Sequence, residues 1–276
     1  MRFTFLYVLV LTIAAVAALG YLLQSRKAGP VDPTQALTLY CDSSARFPIA
    51  RLVEFYREQR DVEIVIVYEG ATELAKDLLR RRSGDVFVST DVRLLEELQS
   101  RQPPLVAEIY PIATVRPVIV VQSGNPRDIE SLGDLLHPGV KLVLADPHDS
   151  ALGRVIRDAL DEKDWRTLWD RRLVGRPTSS EVANDVKLGV AEVGIIWEST
   201  LREFPSLETV PSDELAQLQG EVAVGVLTCS KHPRRAEQLA RFLASPASQK
   251  LFGQMGFSPT ADATADGAGS GTADSR

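Results

Sequence analysis

The stretch Leu37-Thr38-Leu39-Tyr40-Cys41-Asp42-Ser43-Ser44-Ala45-Arg46-Phe47-Pro48-Ile49-Ala50-Arg51-Leu52-Val53-Glu54-Phe55-Tyr56 contains one complete handover from strand to helix. Residues 37–40 are a short β-rich run. Ile49, Leu52, Val53 and Tyr56 then fall at i, i+3, i+4 and i+7, one face of a helix, with Pro48 tolerated in its first turn. Small polar residues, Cys41-Asp42-Ser43-Ser44, fill the joint between them.

The same alternation continues on both sides of Pro111. A second strand is expected over 62–67, a helix over 72–80 through Leu74, Leu78 and Leu79, a third strand over 85–88, and a third helix capped by Asp91. The pattern then restarts with strands at 118–121 and 142–144 and helices near 129–136 and over 151–160. Thr178 and Glu181 form a T-x-x-E capping signal before 182–188; strands at 193–197 and 222–227 and helices over 234–243 and 247–255 complete the series. Alternating strands and helices predict an α/β fold with largely parallel sheets.

Composition narrows the function. The 276 residues are 45% hydrophobic and 25% charged, which is globular, and 31 Lys+Arg against 37 Asp+Glu leave a net charge of -6. A pI near 5.3 offers no basic face for DNA or RNA. Two Cys, Cys41 and Cys229, make no CxxC pair and allow one disulfide or two inert thiols. No G-x-S-x-G elbow, P-loop or H-E-x-x-H occurs, so no residue stands out as a catalyst and no cofactor is expected. Asp146-Pro147-His148-Asp149 reads as a turn rather than a metal site, because Asp and Pro form turns in their own right.

The ends differ from the middle. Residues 3–23 are almost wholly apolar between Arg2 and Arg26-Lys27, and at about 1.5 Å per residue they match the roughly 30 Å hydrocarbon layer. Residues 1–29 are read as an uncleaved signal anchor, with a cleaved signal peptide as the alternative, which places the rest of the chain outside the inner membrane. Residues 260–276 contain only Thr, Ala, Asp, Gly, Ser and one Arg and are expected to be a disordered tail.

Chemistry is expected at the strand-to-helix joints, where ligands of open α/β sheets meet helix N-termini. Four such joints stand out: 41–44, 69–72, 146–151 and 178–182. Any one of them alone is an ordinary helix cap.

Four segments, Leu37-Thr38-Leu39-Tyr40-Cys41-Asp42-Ser43-Ser44, Gly70-Ala71-Thr72-Glu73-Leu74-Ala75, Gly84-Asp85-Val86-Phe87-Val88-Ser89-Thr90-Asp91 and Gly194-Ile195-Ile196-Trp197, together resemble the periplasmic molybdate-binding proteins of ABC transporters. The ending Phe242-Leu243-Ala244-Ser245-Pro246 with Gln249 and Gly256-Phe257 is similar to the wider type II solute-binding superfamily. The resemblance implies a two-lobed fold, each lobe a sheet flanked by helices, with the ligand cleft between the lobes. Lobe 1 would comprise 30–111 plus 221–259 and lobe 2 112–220, with hinge strands near 110–117 and 220–224.

It also implies the ligand set. Ser44 matches the family's first ligand serine, and Ala71 and Thr72 match a serine-rich segment in which one hydroxyl is replaced by Ala. Ser150, Ala151 and Leu152 match a far-lobe segment, Val182 a backbone N–H donor, and Trp197 stands where the family has Tyr. The expected partners are one molybdate or tungstate ion and an ABC transporter permease, with the protein a monomer tethered or exported by its N-terminal segment. Asp42, Glu69, Asp149 and Glu198 adjoin these segments. Were they to line the cleft, a metal ion such as ferric iron or a small organic solute would replace the oxyanion; an exported enzyme or sensor domain is the more distant alternative.

Overall fold

The computed structural model describes residues 36–260. The expectations for 1–29 and for the tail beyond Thr260 fall outside the described residues. In chain order the first elements are β1 (Leu37–Asp42), α1 (Arg46–Arg60), β2 (Ile64–Glu69), α2 (Ala71–Arg81), β3 (Val86–Ser89), α3 (Val92–Ser100) and β4 (Val106–Val115). Then come β5 (Pro117–Gln122), β6 (Leu142–Ala145), α4 (Ala151–Ala159), α5 (Glu162–Arg171), β7 (Val174–Arg176), α6 (Ser179–Lys187), β8 (Val193–Trp197) and β9 (Leu207–Val210). The chain closes with α7 (Asp213–Ala216), β10 (Gly220–Leu227), α8 (Pro233–Leu243) and α9 (Pro246–Gly253).

The strands form two five-stranded sheets of the same topology, ordered β2-β1-β3-β10-β4 and β7-β6-β8-β5-β9. In the first, β1 pairs parallel with β2 and β3, and β10 runs antiparallel to β3 and β4. In the second, β6 pairs parallel with β7 and β8, and β5 runs antiparallel to β8 and β9. This is the two-lobed α/β architecture the sequence implies. Because three strands of each sheet are parallel, their carboxyl ends share one rim, and the helix N-termini that follow gather there.

Local chemistry sets the element ends. The buried face of α1 is Pro48, Ile49, Leu52, Val53 and Tyr56, the face expected from the spacing, and the helix stops where Asp61 turns left-handed at φ 46°. Asp91 caps α3 by accepting from the Arg93 N–H at 3.2 Å, and the Thr178 hydroxyl accepts from the Glu181 N–H at 3.2 Å to start α6. The helix expected near 129–136 is instead a five-residue 3-10 turn, Leu132–Leu136. Gly133 within it and Pro138-Gly139 just after it leave no room for further α-turns.

Pro111 does not end an element. It lies inside β4, which continues to Val115, so the chain changes sheet at Arg116. Proline is tolerated there because β4 is an edge strand, and its pairing with β10 shifts register between Val222 and Ala223, the partner of Pro111. Both cysteines are free thiols, Cys41 buried and Cys229 half-buried, so no disulfide joins them.

Candidate functional site

Six strand ends, three from each sheet, meet around a single small cavity. The first lobe contributes Asp42 and Ser44 after β1, Gly70 and Ala71 after β2, and Thr90 after β3; the second contributes Asp149, Ser150 and Ala151 after β6, Pro177, Thr178 and Ser179 after β7, and Trp197 at the end of β8. The enclosed space is ≈ 10 Å³, about one water-sized sphere. The lobes are nearly in contact here: a Cβ on Gly70 would sit 3.5 Å from the Pro177 carbonyl oxygen and 3.7 Å from Thr178 Cγ2.

Of the residues named from the sequence, Ser44, Ala71, Ser150, Ala151 and Trp197 line this cavity. Three others are placed elsewhere. Thr72 turns its hydroxyl toward Arg154 Nη1 at 3.4 Å. Leu152 is fully buried in the core. Val182 is also buried; its N–H bonds to the Thr178 carbonyl at 3.3 Å within α6, and its side chain fills the space a Cβ on Gly194 would need.

Thr90 and Ser179 also line the cavity, although neither is among the ligand residues that the resemblance implies. Ser89-Thr90-Asp91 was a legible signal, a strand-to-helix joint of the same kind as the four that stood out. Ser179 accepts from the Trp197 N–H at 2.9 Å and shares a 2.8 Å hydrogen bond with the Thr200 hydroxyl, which ties β8 to α6.

Three α-helices begin at the cavity wall, at Ala71, Ala151 and Ser179. The last is capped by Thr178, but at the N-termini of α2 and α4 no side chain caps the first turn: Gly70 has none, and that of Ser150 does not do so. Helix N-termini carry unpaired N–H groups and a partial positive charge, so two such ends facing one cavity form an environment for an anion.

Carboxylates sit in the same wall. Asp42 is 5% exposed; its Oδ1 accepts the Ser44 N–H at 2.9 Å, and its Oδ2 accepts the Thr90 N–H at 3.4 Å and the Thr90 hydroxyl. Burial pushes its pKa above the ordinary carboxylate value, against the hydrogen bonds from Thr90 and Ser44, which lower it. Asp149 is paired with Lys76 at 3.1 Å. Glu198 points away, paired with Arg116 at 3.0 Å, and Glu69 is not part of the wall. Residues 146–149 form a turn, with the Asp149 N–H on the Asp146 carbonyl and the His148 N–H on Asp146 Oδ1. Among the described residues no group of three His, Cys, Asp or Glu is placed to hold a metal ion.

Two lobes of repeated topology with a donor-rich cavity between their strand ends are the form of a solute receptor. The sequence profile described as bacterial extracellular solute-binding protein matches residues 37–258. The chain belongs to that family. A molybdate-binding protein, ModA, of Mycobacterium tuberculosis (strain ATCC 25618 / H37Rv) is 25% identical over 238 residues, 84% of this chain and 88% of the relative. Among solved structures, the sulfate-binding protein SubI of M. tuberculosis H37Rv superposes with a TM-score of 0.72 at 19% identity, covering 84% of this chain and 90% of that one. Iron-bound HitA of Pseudomonas aeruginosa superposes at 0.64 and 19% identity, covering 81% and 86%. Proteins of this fold thus carry different ions.

Proposed function

We propose that this solute-binding protein captures a tetrahedral oxyanion, molybdate or tungstate, in the interlobe cavity outside the inner membrane and delivers it to an ABC transporter permease. The observation that carries this reading is the pair of helix N-termini at Ala71 and Ala151, neither capped by a side chain, that open into the cavity from opposite lobes. N–H groups of α2 and α4 would hold the oxygens, with the Ser44 and Ser150 hydroxyls as further donors and Trp197 closing one side. The narrowness of the cavity, ≈ 10 Å³ as the lobes stand, disfavours a bulky organic solute, and a tetrahedral ion is admitted once the lobes part slightly; a wall without Tyr or His favours an oxyanion over ferric iron.

Selectivity rests on size. A wall made only of donors would reject protonated phosphate, but Asp42 gives this cavity an acceptor. Binding favours the closed arrangement by differential affinity, and the closed form is the one a permease reads. Export or tethering by residues 3–23 and action as a monomer belong to the same proposal.

Calorimetric titration of the protein with molybdate, tungstate, sulfate, phosphate and ferric citrate in one buffer tests it. Molybdate or tungstate is expected to bind far more tightly than sulfate or phosphate, and Ser44→Ala to weaken that binding by about tenfold, the worth of one hydrogen bond to a charged group. Binding of ferric citrate alone, or a folded Ser44→Ala protein with undiminished affinity, would overturn the assignment.

A further inference from the structure

In the first lobe a carboxylate already occupies the donors that an anion would use. Asp42 is buried in the cavity wall, and the Ser44 N–H, the Thr90 N–H and the Thr90 hydroxyl all point at its oxygens. A molybdate or tungstate dianion entering beside an ionised Asp42 would bring three negative charges together in a narrow, largely buried space, where repulsion is strong. We infer that oxyanion binding takes up one proton from solvent, held on Asp42, which turns the carboxylate from a competing acceptor into an O–H donor to the ligand. The inference rests on the oxyanion reading of the cavity.

The surroundings of Asp42 leave it as the group that must change. Cys41 precedes it on β1, and Glu69 is its register partner on β2. Asp91, after β3, is held by Arg154 at 2.7 Å and by Arg93 at 3.4 Å. Arg46, at the start of α1, stands 4.0 Å from Glu203 of the second lobe, and Asp149 across the cavity is neutralised by Lys76. Asp42 is held by hydrogen bonds and, among the described residues, has no ion-pair partner. Burial favours its neutral form, which lowers the cost of adding the proton.

The test is titration of the full chain with sodium molybdate from about pH 6 to about pH 8.5, at each pH in two non-phosphate buffers that differ in heat of ionisation. The expected result is uptake of close to one proton per ion and an affinity that falls about tenfold per pH unit once Asp42 is ionised in the free protein. Asp42→Asn, whose folding is checked by thermal unfolding, is expected to bind with a flat pH profile and without proton uptake, while Asp149→Asn, whatever its change in affinity, keeps the pH dependence and the proton uptake. If wild-type protein binds molybdate with the same affinity at every pH and no buffer-dependent heat, the inference fails and the oxyanion reading survives. A pH dependence that disappears in Asp149→Asn instead moves the proton off Asp42 and also defeats it. If no variant binds molybdate at any pH, the oxyanion reading fails and the inference falls with it.

Discussion

At the scale of single residues, Asp42 couples the stability of the ligand-free protein to pH. Its native pKa lies above the ordinary carboxylate value because burial outweighs the hydrogen bonds from Thr90 and Ser44. The native state therefore binds this proton more tightly than the unfolded state does. The contribution is fully present below the unfolded pKa, about pH 4, and is lost as pH rises through the native value. Glu203, also raised by burial, acts in the same direction. Asp42→Asn is accordingly expected to lessen the fall in Tm between about pH 4 and neutrality, with the remaining slope owed in part to Glu203. An unaltered slope in thermal unfolding would mean that Asp42 does not titrate as its burial demands. Sequence alone named Ser44, Ala71, Ser150, Ala151 and Trp197 as site residues and flagged Asp42 as a neighbour. It did not show which way Asp42 faces, because β1 ends at Asp42 and a 3-10 turn, Ser43–Ala45, brings both Asp42 and Ser44 to the wall.

Among the elements, α4 carries the most exacting contact. A Cβ on Gly153 would stand 2.6 Å from the Ala145 carbonyl oxygen, the Asp146 carbonyl carbon and the Pro147 nitrogen, all backbone atoms that cannot swing aside. Glycine thus lets the first turns of α4 lie against the end of β6 and brings the N-terminus at Ala151 to the cavity. Gly153→Ala is expected to destabilise the protein by about 1–3 kcal/mol in urea unfolding and to weaken ligand binding by displacing Ala151. Helix propensity alone predicts the opposite sign, a gain of up to about 1 kcal/mol, so a stabilised variant would sink the packing argument. Spacing did not reveal this role, since a helical glycine looks alike whether it meets solvent or a neighbouring backbone. The strands missed from the sequence share a physical cause. The expected runs include every central strand, buried on both faces and nearly all apolar, and the edge strand β2; the edge strands β7 and β9, and β4 apart from the hinge strand that the resemblance implies near 110–117, have mixed patterns that give no apolar run. β4 also contains Pro111, which reads as a break until the edge position and the register shift are known.

For the molecule as a whole, the two lobes are held together by charged pairs set around the cavity. Asp91, 6% exposed after β3, meets Arg154 of α4 at 2.7 Å; Arg93 meets Asp158 at 2.8 Å, and Lys76 meets Asp149 at 3.1 Å. They are not equivalent. The Arg93 and Lys76 pairs face solvent and contribute about 0–1 kcal/mol each, whereas removing Arg154 leaves a buried carboxylate with Arg93 as its one remaining ion-pair partner among the described residues, a loss of about 1–3 kcal/mol from the closed arrangement. A receptor that must reach a closed form before ligand is held loses affinity in proportion to the closed population it gives up. Arg154→Ala should therefore enlarge the radius of gyration of the ligand-free protein in small-angle scattering and weaken ligand binding, while Arg93→Ala leaves both nearly unchanged. Added salt should expand the wild-type protein only slightly, because the Asp91–Arg154 pair is largely shielded from solvent ions. Equal radii for wild type and Arg154→Ala would show instead that the apolar and backbone contacts between the lobes, such as the approach of Gly70 to Pro177, hold the cleft shut without the buried pair.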